Sequence, residues 1–179
     1  THTHMIGERH EFVCHPRETA TMFRTAVMLS VCLCVCQISL AADWEPKQAP
    51  LMTRWAKDVT PDKVHPEYPR PQMVRKEWQN LNGLWDYAIK PKDDAQPKDW
   101  DGKILVPFCL ESSLGGVQQK LSEDEALWYR RTFAVDPAMG KTILLNFEAV
   151  DYECWVDVNG KRVGHHKGGN TPFSLNITD

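Results

Sequence analysis

The 179 residues carry 21 lysines and arginines against 24 aspartates and glutamates, a net charge of −3 with both signs interspersed. Such a balance forms no basic stripe to neutralise phosphates, which excludes a nucleic-acid binder. With 42% apolar and 25% charged residues, the chain has the composition of ordinary globular proteins rather than of disordered or fibrous ones.

Residues 1–21 lie ahead of Met22, the expected start, and read as an upstream segment of doubtful origin. His2, His4, His10 and His15 within it have no convincing metal-ligand spacing. Residues 22–42 read as a secretory signal peptide: Arg24, an uncharged apolar stretch from Ala26 to Leu40, then the small residues Ala41 and Ala42. The stretch is shorter than the ~20 apolar residues that cross a bilayer. Secretion or release to a periplasm is therefore expected, with no membrane contact after cleavage. Cleavage also removes Cys14, Cys32, Cys34 and Cys36, leaving Cys109 and Cys154, expected as unpaired thiols in the core.

Residues 43–74 form a lead-in punctuated by Pro46, Pro50, Pro61, Pro66, Pro69 and Pro71, expected to lie extended over the domain surface. Residues 75–179 are read as a β-sandwich domain. Strand patterns occupy residues 83–90, 103–106, 126–135, 141–150, 154–158 and 161–165, separated by turn-forming clusters. Asn159-Gly160 between two apolar runs marks a tight hairpin, because both central residues of that turn need positive φ. In the strand before it, Val156 and Val158 share one face and Trp155 takes the other. Leu121–Glu125 is the one stretch suggesting a helical turn. Many short strands with almost no helical period predict an all-β sandwich. A jelly roll uses about eight strands, so six imply a domain truncated at its C-terminus and the front portion of a longer protein.

Ordered motifs now accumulate. They are the run from Trp78 to Tyr87, Ile104 to Phe108 with Glu111 and Ser112, Leu127 to Phe133, Phe147 to Tyr152, Val158 to Gly160, Val163 to Gly169, and Pro172-Phe173. In this order and spacing they resemble the N-terminal sugar-binding domain of glycoside hydrolase family 2, the β-galactosidase and β-glucuronidase type. The resemblance covers about residues 75–179. It implies a jelly-roll sandwich that precedes immunoglobulin-like and TIM-barrel domains, with two barrel glutamates performing retaining hydrolysis of terminal β-linked sugars. That chemistry needs two carboxyl groups ~5–5.5 Å apart. A barrel needs about 200 residues or more, so this chain alone is not expected to hydrolyse a glycoside. No catalytic residue, cofactor or metal is expected in it.

Four residues are candidates for touching a carbohydrate substrate: Glu111, Asp151, His166 and Asn170. Asp151 follows an apolar strand, where a carboxylate is read first as a scaffold hydrogen-bond acceptor and only second as a ligand contact. His166 and Asn170 sit on a glycine-rich loop, the kind of segment on which rigid sandwiches carry their sites. Contact with a sugar hydroxyl and packing against a neighbouring domain are both consistent with them. The stretch 111–126, with Gly115 and Gly116, is the other loop expected near a substrate cleft. Trp85 and Trp155 are expected in the core, and Trp100 as the aromatic most open to a sugar face. Arg130 and Arg131 alternate on a strand and should face opposite ways, one of them pairing with Glu148 or Asp151. A supporting domain of a glycosidase is the first reading; a stand-alone carbohydrate-binding module or a non-functional fragment is the alternative.

Overall fold

The computed structural model describes residues 2–8, 44–136 and 139–178. The signal-like segment 22–42 lies outside them. The described chain is an all-β sandwich of eight strands: β1 (His2–Glu8), β2 (Gly83–Pro91), β3 (Gly102–Val106), β4 (Glu125–Thr132), β5 (Leu144–Phe147), β6 (Glu153–Val158), β7 (Lys161–Lys167) and β8 (Phe173–Asn176). One sheet has six strands in the order β3-β2-β4-β1-β6-β7, and β5 and β8 form a second, two-stranded sheet.

The turns behave as their residue types require. Asn159 (φ 51°) and Gly160 (φ 75°) close the β6–β7 hairpin in the left-handed region. At 121–125 there is a single turn rather than a helix: Glu125 N donates to Ser122 O, and Ser122 N donates to Glu125 Oε2.

Alternation divides the large sheet into two faces. On the inner face, Trp85, Ile104 and Leu127 pack with Leu110 of the loop after β3. Cys154 and Val156 of β6 meet Val150, Leu145, Phe147, Phe173 and Leu175, which brings the small sheet onto the β6–β7 half. Gly164 of β7 leaves the space that the Leu175 side chain enters. The outer face carries Ala88, Ala126 and Trp128, with Trp100 packed against them.

Two strands lie outside the sequence pattern. Phe173–Asn176 pairs with β5, placing Phe173 opposite Phe147. Residues 2–8 pair in parallel with both β4 and β6, and everything else in the sheet is antiparallel.

Several expectations need correction. Trp155 is not core: its neighbours Cys154 and Val156 take the inner face, so Trp155 points outward and stacks on His165 at 5.0 Å. Trp100 is no open platform, because Arg130 covers its ring at 4.5 Å. Arg130 and Arg131 do face opposite ways, but the partner of Arg130 is Asp86. Antiparallel pairing sets Asp86 directly across from Arg130, out of reach of any prediction from residues near in sequence. Both cysteines are free; Cys154 is buried, but Cys109 is exposed, because β3 ends at Val106 and Cys109 falls in the following turn.

Candidate functional site

Two glycine-paired loops stand where the sequence suggests a site, and their surroundings differ. The first follows β3. Ser112 caps a short 3-10 turn (Ser113–Gly115) by accepting from Leu114 N, and Gly116 (φ 86°) ends it. The lead-in segment lies directly on this loop. Trp44 Nε1 donates to Leu114 O at 3.1 Å, Lys47 N donates to Ser113 O at 2.9 Å, and Gln118 Nε2 donates to Gln48 O at 3.2 Å. Glu111 belongs to this loop, exposed at its surface, and its charge falls on Tyr129 of β4. Burial, then Cys109 and Glu111, push the Tyr129 hydroxyl well above the usual tyrosine range.

The second loop joins β7 to β8 and meets the loop between β5 and β6. Gly168 N donates to Tyr152 O at 2.7 Å, which ties the two together. A Cβ added at Gly169 would lie 2.7 Å from Asp151 Oδ1, so the missing side chain is what lets the carboxylate sit there. Lys167 Nζ is held 5.5 Å from the Tyr152 ring centre and 3.8 Å from Glu153 Oε2. His166 is fixed from two sides. Its ring stacks on Phe173 at 4.1 Å, Phe173 stacks on Phe147 at 4.7 Å, and its Nε2 lies 3.1 Å from Thr171 Oγ1. Asp151, Tyr152 and Asn170 are exposed around this junction.

Three of the four candidate residues, Asp151, His166 and Asn170, thus share one loop junction, and Glu111 belongs to the other loop. The junction also includes Tyr152, half exposed, which the sequence reading left out of the site. Its position one residue after Asp151, where the strand alternation has not yet begun, was the available signal. The arrangement offers a carboxylate acceptor, an amide that donates and accepts, a histidine of fixed orientation and an exposed aromatic ring. These are the groups that hydrogen-bond hydroxyls and cover an apolar ring face.

No family model matches the chain. Among curated proteins, 105 residues are 34% identical to a β-galactosidase of Thermoanaerobacter pseudethanolicus, covering 56% of this chain and 14% of the relative. The chain is similar to glycosidases. A β-glucuronidase of Paenibacillus borealis is 27% identical over 118 residues, 62% of this chain and 20% of the relative. A β-glucuronidase of Streptococcus agalactiae serotype V is 23% identical over 101 residues, 56% and 17% respectively. The matched stretch is therefore a small part of much longer relatives, consistent with a glycosidase fragment.

Proposed function

We propose that this chain is the N-terminal portion of an exported family 2 glycoside hydrolase, its sandwich a jelly roll of the sugar-binding type. The observation that carries the reading is the similarity to a β-galactosidase and two β-glucuronidases over a stretch of about one hundred residues. In this reading the paired catalytic carboxylates belong to a barrel downstream, since hydrolysis with retention needs two of them flanking the scissile bond. The sandwich supports the substrate cleft with the Asp151–Asn170 junction. Asp151 and Asn170 hydrogen-bond sugar hydroxyls, Tyr152 lies against the ring, and Glu111 contributes from the loop after β3. The substrate class is a terminal β-linked galactose or glucuronic acid.

The test assays the 179-residue chain and the same chain extended through the reading frame that follows Asp179. Nitrophenyl β-galactoside and β-glucuronide serve as substrates. Hydrolysis by the extended form alone is expected. Hydrolysis by the short chain, or by neither, would overturn the proposal.

A further inference from the structure

Arg130 and Arg131 are neighbours on β4 with opposite electrostatic situations. Arg130 donates from Nε and Nη2 to Asp86 Oδ2 at 3.1 and 3.0 Å, and its plane rests on Trp100. Arg131, on the other face, donates from Nη1 to the carbonyls of Asn82 and Leu84, both at 3.2 Å. Among the residues whose side chains are described, neither its Nε nor its Nη2 has a hydrogen-bond acceptor, and no carboxylate forms an ion pair with it. Partial burial pulls its pKa below the ordinary arginine value.

The guanidinium lines a cleft of about 240 Å³ between the lead-in segment and the start of β2, with Pro61, Asp62, Val64, Asn80 and Asn82. Gly83 (φ 121°) leaves room beside the guanidinium: a Cβ there would lie 3.0 Å from Arg131 Nη1 and 3.2 Å from Pro61 O. The volume is below the ~300–1,000 Å³ of pockets that take whole ligands. It suits one planar group with its adjoining carbons. Arginine presents parallel N–H donors that match a carboxylate in two-pronged geometry.

We propose that the Arg131 cleft is a carboxylate-binding site, taking the acid group of a uronic acid or of an aspartate or glutamate side chain. It does not rest on the glycosidase reading. Asp62 shares the lining and opposes an anion, which limits affinity rather than abolishing the site.

The test follows the Arg131 Nε–H and the Asn80 and Asn82 side-chain amide resonances of the full chain. Acetate, glucuronate and an end-blocked aspartate peptide are titrated in, with chloride at equal ionic strength and glucose as controls. Saturable movement of Arg131 with the carboxylates, and none with chloride or glucose, is expected. Arg131→Lys keeps the charge but loses the fork and should raise Kd about tenfold. Asp62→Asn should lower it. A stronger response to glucuronate assigns the site to a sugar acid, and a stronger response to the peptide assigns it to a protein side chain. Movement no larger than with chloride, or amide shifts unchanged in Arg131→Lys, overturns the proposal.

Discussion

The Gly115-Gly116 loop and the Gly168-Gly169 loop look alike in sequence and differ in what their glycines meet. At Gly115 the space for a side chain is taken by backbone, the Cys109 carbonyl at 2.6 Å, and at Gly116 by the Trp44 ring. That loop is an internal joint, clamped from outside by the lead-in. At Gly169 the space is taken by the Asp151 carboxylate, the end of an exposed side chain. A glycine pair therefore does not mark a site by itself. A glycine held against backbone closes a structure, and one held against a functional group leaves that group in place for a partner.

The sharpest break of this contrast is Gly115→Ala. Its Cβ meets a carbonyl that has nowhere to go, so about 1–3 kcal/mol of stability should be lost in urea unfolding, and a neutral result would dissolve the distinction. Trp44→Ala comes next, removing a ring and a hydrogen bond from the clamp. A loss of about 1–2 kcal/mol is expected, with faster amide exchange at Leu114 and Gly116. Gly169→Ala should cost less than about 0.5 kcal/mol, because the carboxylate rotates aside. Its effect should appear at the site: any shift that galactose or glucuronate causes at Asn170 and Tyr152 in the parent should be lost.

The smallest effect concerns alkali. Burial raises the hydroxyl pKa of Tyr129 and, with a further contribution from Asp101, that of Tyr87 above the ordinary 10.0. The unfolded chain then releases these protons first. The stability from keeping both neutral is complete below about pH 10 and is lost as pH rises beyond it. Tyr129→Phe should flatten that decline in unfolding curves measured across the range, and an unchanged slope would assign it elsewhere.

Local patterns made the middle of the fold legible. Strand alternation and the Asn159-Gly160 turn located the six strands from Gly83 to Lys167, because one buried face fixes a period of two; the poorest match is β5, four residues long where 141–150 was expected. The last strand escaped notice because Phe173–Asn176 is only four residues long and follows Pro172 directly. Residues 2–8 escaped because His-Thr-His-Met-Ile-Gly-Glu has no apolar alternation to read. What pattern could not supply was partnership. Asp86 and Arg130 are 44 residues apart, and only the register of β2 against β4 joins them. The junction of Asp151, His166 and Asn170 was partly readable because all three flank turn residues in adjoining segments. Its dependence on a stack through Phe173 to Phe147 was not, since that stack crosses between sheets.

The parallel strand at residues 2–8 has a consequence for how the sheet is assembled. It separates β3-β2-β4 from β6-β7, and no direct ladder joins those two blocks. His2 pairs with Ala126 on one side and Glu153 on the other, partners far away from it in sequence. Closing so long a loop is slow, whereas the β6–β7 hairpin forms from near neighbours. Each block is closed by antiparallel pairs among residues 83–167, whereas the joint between them rests on a segment ahead of the expected signal peptide, so cleavage after residue 42 would leave the two blocks unjoined.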